Sequence, residues 1–131
     1  MKMTLVTTKA IIAITGGSLA FFLGGWDTLL MVFFFMIICD YATGVLTAFY
    51  NKNVSSEVGY KGIIKKVLEI IVVALAVMAN KLMPEIGLRE MVITFFIANE
   101  GFSIIENCAK VIKLPDSLTR FFEQIGGNDN E

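Results

Sequence analysis

Histidine is absent from the 131 residues. The side chain that most often moves protons near neutral pH, and most often binds metals, is therefore unavailable. Cysteine is almost absent too. Cys39 and Cys108 sit in or beside apolar runs, far from any metal-ligand spacing, and read as small apolar residues rather than as a disulfide or redox pair. The glycine pairs at 16–17, 24–25 and 126–127 do not match a phosphate-binding loop. No nucleophile has a plausible base. The sequence thus predicts no catalytic residue, no metal, no cofactor and no enzyme. Net charge is only −1, so nothing in the total draws the chain to nucleic acid, and none is expected as a partner.

Charged residues make up 18% of the chain and hydrophobic residues 56%, with a mean hydropathy of +0.72. The apolar share is above that of an ordinary soluble domain. It also comes in long blocks, which argues for lipid as the solvent. Four blocks can be drawn, at about 10–25, 28–50, 67–83 and 89–112. A membrane-crossing helix needs about 20 apolar residues. The second and fourth blocks qualify on length, while the first and third require snorkelling lysines or local thinning. The first block follows Lys2 and Lys9 but is not followed by a clear cleavage site, which disfavours a signal peptide. The expected fold is all-α: an integral membrane protein of about four spans over residues 1–114. Three spans, with the first block lying in the interface, is the main competitor.

Charge orients this arrangement. Lys2, Lys9, Lys52, Lys61, Lys65, Lys66, Lys110, Lys113 and Arg120 are nine of the eleven basic residues, and a four-span topology puts all nine on one side. By the positive-inside rule both termini are cytoplasmic. Lys52, Lys61, Lys65, Lys66, Lys110 and Lys113 are read as topology signals facing lipid headgroups, each worth roughly 1 kcal/mol against anionic lipid. Pro115 ends the fourth block. Leu118, Phe121, Phe122 and Ile125 then recur at helical spacing. They predict a short amphipathic helix, either on the cytoplasmic membrane surface or packed on its own protein, and residues 126–131 read as a disordered tail.

Polar residues interrupt the apolar blocks. Asp40 lies twelve residues past Thr28 and Glu100 eleven past Arg89, about 18 and 16 Å along their helices at 1.5 Å per residue. Both would sit near the bilayer midplane, where an ionised group costs about 2.5–3.5 kcal/mol on the lenient insertion scale. Their matched depth predicts that the two are partly protonated, because close carboxylates in low dielectric do not both ionise cheaply.

The neighbours of these acids fall on stripes. Asp40, Thr43, Gly44, Thr47 and Asn51 share one face of the second helix, and Glu69, Val73, Ala76 and Asn80 one face of the third. Asn99, Glu100, Ser103, Glu106, Asn107 and Lys110 line up on the fourth. Ion pairs are available at Lys65–Glu69 and Glu106–Lys110. The stripes suit either hydrogen bonding inside a static bundle or the wall of a water-filled hole in an oligomer. Gly16, Ala20 and Gly24 form a small-residue ridge on the first helix, and Gly44 adds a close-packing position on the second.

Four stretches, in order, carry a family resemblance: "DYATG" at 40–44, "SSEVGYKGIIKK" at 55–66, "IANEGFSIIEN" at 97–107 and Leu114-Pro115. Together they resemble the toxin secretion/phage lysis holins of Gram-positive bacteria and their phages, over residues 28–125. The resemblance implies a multi-pass protein of the bacterial host's cytoplasmic membrane. Such a protein homo-oligomerises among lipid into lesions that release an endolysin or a toxin, a cargo for which it has no specific binding site. Two other readings stand beside it. A small four-helix proton-coupled transporter would place its carboxylate in the first helix, which here has none. An antiholin or accessory subunit would use the same architecture.

Overall fold

A computed structural model describes residues 1–126; the expected tail, beyond Gly126, lies outside the described residues. All the regular structure described is helical: α1 (Lys2–Phe22), α2 (Thr28–Tyr50), α3 (Ser56–Leu82), α4 (Leu88–Ala109) and α5 (Asp116–Gly126), with one 3₁₀ turn at Pro84–Ile86. The helix starts follow local chemistry. The Asp27 carboxylate accepts from the Leu30 N–H at 2.9 Å and begins α2. The Ser55 hydroxyl accepts from the Val58 N–H at 3.3 Å and begins α3. Pro84 stops α3, since the residue before a proline is pushed out of the helical region; Met83 sits at φ −138°, ψ 72°.

Asn80 was expected on an inward stripe. Its Oδ1 accepts from the Leu88 N–H at 2.8 Å and so caps the otherwise unpaired start of α4.

Helix α4 is central. It packs against α2, α3 and α5, while α2 and α3 touch each other little. The apolar core gathers Leu23, Leu30, Phe33, Met36, Ile37, Val73, Ile93 and Ile97. These occupy the half of the bundle nearest the α1–α2 and α3–α4 turns. The other half is polar.

The outer surface is apolar to an extent that a water-soluble protein does not tolerate. Phe35, Ile38, Leu46 and Leu75 are each more than 60% exposed. Two helices, α1 and α2, are long and apolar enough to cross a membrane. At 27 and 22 residues, α3 and α4 are also long enough, about 40 and 33 Å, but they carry more charge. α1 and α3 both extend well beyond the blocks expected at 10–25 and 67–83.

The packing decides between alternatives at two places. The ridge of Gly16, Ala20 and Gly24 packs against nothing in this chain. No residue of α1 is buried, a Cβ on Gly16 would meet no atom within 4 Å, and Gly24 lies beyond the helix at φ +88°. Its left-handed turn makes room for the Arg89 side chain. Helix α5 takes the second of its two expected placements, packed on its own protein rather than on the membrane surface. It folds back along α4, so that Phe122 lies against Gly101 and Gly126 against Ala98. Phe122 and Ile125 pack on the core, whereas Phe121 is 55% exposed.

The seat of α5 is narrow: a Cβ on Gly101 would overlap the Phe122 ring. Gly101→Ala is therefore expected to lift α5 off α4 while leaving α2–α4 intact. Hydrogen exchange should show faster exchange confined to the α5 amides; unchanged α5 protection would refute this packing.

Candidate functional site

The buried half of α2 facing α4 holds a continuous polar seam. Thr47 Oγ1 donates to the Asn107 carbonyl at 3.0 Å. The Asn107 amide donates to the Asp40 carbonyl at 3.3 Å, to Asp40 Oδ1 at 3.2 Å and to Thr43 Oγ1 at 3.1 Å. Thr43 Oγ1 also lies 2.8 Å from the Cys39 carbonyl. Gly44 belongs to the same seam: a Cβ there would stand 3.6 Å from the Asn107 amide nitrogen, an ordinary contact, so the position borders Asn107 without requiring glycine.

At the head of the seam sits Lys66 of α3. Its Nζ donates to Asp40 Oδ2 and to Glu100 Oε2. The side chains are buried, 10% exposed for Lys66, 9% for Asp40 and 0% for Glu100. One ammonium thus links three helices. Ser103 and Asn107 border the cluster, and a cleft of about 740 Å³ between α2 and α3 reaches it; Asp40, Lys66, Tyr41, Gly59 and Gly62 are among the lining residues.

This overturns the reading of Lys66 as a headgroup-facing topology residue. Lys52, Lys61, Lys65, Lys110 and Lys113 are all exposed. Lys66 is buried because it falls on the α3 face that also carries Glu69, Val73 and Ala76, at i, i+3, i+7 and i+10. That spacing was legible; counting Lys66 as part of a basic run hid it. The expected repulsion between Asp40 and Glu100 is likewise replaced by a bridge through a shared cation.

Other expected residues separate. Asn99 and Glu106 are exposed and take no part in the seam, and Ser103 is half-buried beside it. The Lys65–Glu69 pair does not form. Both Glu69 carboxylate oxygens are buried without a partner, and the exposed pair on α3 is Glu57–Lys61 at 2.9 Å. Cys39 and Cys108 are both free.

A second polar lock, not anticipated from the sequence, closes the opposite end of the bundle. Arg89, 6% exposed, donates from Nε to the Leu23 carbonyl at 2.7 Å and from Nη2 to the Gly25 carbonyl at 3.1 Å. It also grips Asp27 with both terminal nitrogens, at 2.8 and 3.2 Å. The fork geometry of guanidinium suits this bidentate grip, which a lysine lacks. Hydrogen bonding from Arg89, and then from the Leu30 N–H, holds the Asp27 carboxyl below the usual carboxylate range.

With this geometry in view, comparison with known proteins is informative. Residues 17–127 match the bacteriophage holin family. The chain belongs to that family. An uncharacterized protein of Clostridium perfringens is 31% identical over 99% of this chain and 98% of its own length. An uncharacterized 14.9 kDa protein in the nagH 3′ region of Clostridium perfringens is 36% identical over 78% of this chain and 80% of its own. A probable holin of Bacillus phage phi105 is 37% identical over 63% of this chain and 62% of its own. No solved structure matches. Phage, holin and membrane are thus the terms that the comparisons support, and the family is one of non-enzymatic membrane proteins.

Two predictions follow from the locks of this holin-family chain. Lys66→Met leaves two buried carboxylates without their cation, a loss of about 3–5 kcal/mol for breaking such a group. The triple variant Asp40→Asn, Lys66→Met, Glu100→Gln removes all three charges and should recover most of that loss. Thermal unfolding in detergent checks both; equal destabilisation of single and triple variants would count against the bridge.

The second prediction concerns pH. A carboxyl whose folded pKa is depressed stabilises the fold above its ordinary value, and that stability is lost as pH falls through the depressed one. The Arg89–Asp27 lock should therefore hold at neutral pH and loosen only below the usual carboxylate range. Trp26, the one tryptophan, stands next to Asp27 and stacks on Phe34 with ring centroids 6.0 Å apart. Its fluorescence should change in that acid window, and Asp27→Asn should abolish the acid step.

Proposed function

We propose that the chain acts as a holin: it crosses the bacterial cytoplasmic membrane four times with both termini inside. It accumulates there and assembles with copies of itself into lesions through which an endolysin or a toxin passes. The observation that carries this reading is the contrast between the two surfaces of the bundle. Its interior at the level of Asp40 and Glu100 is a hydrogen-bonded, charged seam, while large apolar side chains such as Phe35, Ile38, Leu46 and Leu75 stand exposed on its outside. Such charges are tolerated at membrane depth only inside a bundle or against water.

Helix α1 supports self-association. It is apolar, 21 residues long and without a buried residue, so in a membrane it is covered by lipid or by a second copy. Gly16 and Ala20 offer a flat face for close helix approach.

Helix α5 supports a wet surface. Its end reaches Ala98, eleven residues before the end of α4, about 16 Å along that helix. Asp116, Arg120 and Glu123 remain exposed on its outer side. Lipid does not accept those charges at that depth, whereas a lesion wall does. Orientation rests on the basic residues. With Lys66 withdrawn into the bundle, eight remain on the cytoplasmic side against Lys81 and Arg89 on the other.

The test is inducible expression in a bacterium that carries a cytosolic muralytic enzyme lacking a signal peptide. Turbidity, membrane potential and enzyme release are followed together. A delayed, abrupt loss of potential with release of folded enzyme is the expected result. Loss of potential without release would replace large lesions with small holes, and no effect from membrane-resident protein would favour the transporter or antiholin reading.

A further inference from the structure

The charges of the buried cluster do not balance. Three carboxylates converge on it: Asp40 from α2, Glu69 from α3 and Glu100 from α4. Lys66 is the one cation among them. Its two acceptors are Asp40 and Glu100, which leaves Glu69 without a counterion. Glu69 is 5% exposed and Glu100 is fully buried. Both Glu69 oxygens and Glu100 Oε1 have no hydrogen-bond partner, although the Glu69 side chain lies beside that of Glu100.

A buried acceptor left unpaired costs about 1–3 kcal/mol, and more if it is charged. Three such atoms in one place signal a missing donor. A metal ion does not fit the cluster, since no metal-holding group of three or more His, Cys, Asp or Glu side chains occurs among the described residues.

Nor does any other side chain supply the donor. From α2, Asp40 and Thr43 face the seam. From α4, Ser103 and Asn107 do, and the Asn107 amide is already committed to Asp40 and Thr43. α5 contributes Phe122 and Ile125 to the core, while its Arg120 and Glu123 are exposed. Lys65 is exposed as well.

We propose that Glu69 and Glu100 form a proton-binding site, in which one proton is held between a Glu69 carboxyl oxygen and Glu100 Oε1. The added proton pairs two of the three orphaned oxygens, and the surplus charge of the cluster falls by one. The proton is taken from water. It returns to water when α3 and α4 separate enough to hydrate the pair, the shared O–H bond breaking to give two carboxylates and hydronium. Because the closed bundle holds one more proton than the opened one, raising the pH favours opening and lowering it favours closure. The cleft lined by Asp40 and Lys66 gives water a route to the edge of the site. This inference rests on the packing of α2, α3 and α4. It requires no lysis, so an absent proton and an absent lesion are separate failures.

The experiment is infrared spectroscopy of the full chain in lipid nanodiscs near neutral pH, with glutamate carrying a ¹³C carboxyl label. The expected spectrum contains a protonated-carboxyl stretch that moves with the glutamate label. Glu69→Gln should lose that band yet keep its thermal midpoint, because the amide N–H₂ donates to Glu100 Oε1 in place of the acid. Glu69→Ala should lose both. A wild-type spectrum without a protonated glutamate band overturns the proposal, and so does a band that survives at full intensity in folded Glu69→Gln. If Glu69→Gln fails to fold, a wild-type pH titration decides. Loss of the band on raising the pH, together with faster amide exchange in α3 and α4, is expected; loss of the band with unchanged exchange would separate the proton from opening and overturn the proposal.

Discussion

Lys66 ties the bundle together. Its ammonium, contributed by α3, is held by a carboxylate from α2 and another from α4, and α2 and α3 otherwise touch little. Removing that cation removes the polar tie that α3 makes to both helices at once, and leaves only the Asn80 cap on the start of α4. The arrangement also explains how two acids can sit so deep in an apolar shell. Each is expensive to bury alone, but the pair shares a counterion, and Asn107 adds a donor to Asp40 from the other side. Thr43 and Thr47 extend the contact along α2 through their hydrogen bonds with Asn107. The apolar half of the core, around Phe33, Val73 and Ile93, then packs on a frame whose register these polar contacts set.

Much of this frame was legible in the sequence. Helical spacing placed Asp40, Thr43, Gly44 and Thr47 on one face, Glu69, Val73 and Ala76 on another, and Glu100, Ser103 and Asn107 on a third. What spacing alone could not give was partner choice. Lys66 was taken with Lys65 as one basic run, although a one-residue step on a helix turns a side chain by about 100°, so one of the pair faces inward and the other outward. Arg89 was hidden in the same way. Its sequence neighbour is Glu90, whereas its main partners lie more than sixty residues earlier, in the Leu23–Asp27 turn. Gly24 looked like the last step of a packing ridge because the helix was drawn two or three residues too far. Long-range pairing and exact helix ends depend on tertiary contact, and local pattern carries little of either.

The two locks differ in kind. Arg89 fixes a turn: it fills the left-handed bend at Gly24 and holds two carbonyls that have no helical partner there. Its charge is matched by Asp27 at the rim, in contact with water. Lys66 joins helices and is buried, with a cleft reaching the edge of its site. A rim lock of this sort yields to acid alone, while the inner lock yields only when the helices part. The bundle therefore has one end that keeps α1 attached to the core through Leu23, and one interior contact that ties α3 to α2 and α4 beside the Val73 packing and the Asn80 cap.

An interior built from paired charges has a consequence for assembly. Breaking the Lys66 bridge in an isolated chain leaves buried ions uncompensated, at about 3–5 kcal/mol. In the self-association proposed above, copies that exchanged these partners would keep their polar contacts and so avoid most of that loss. Opening to water avoids it too, because hydration replaces the bridge. A bundle held by apolar packing alone would gain nothing from either route, since lipid solvates its side chains as well as a partner does. Within the holin reading, the charged seam is therefore what makes the chain stable when dispersed and able to reorganise when crowded.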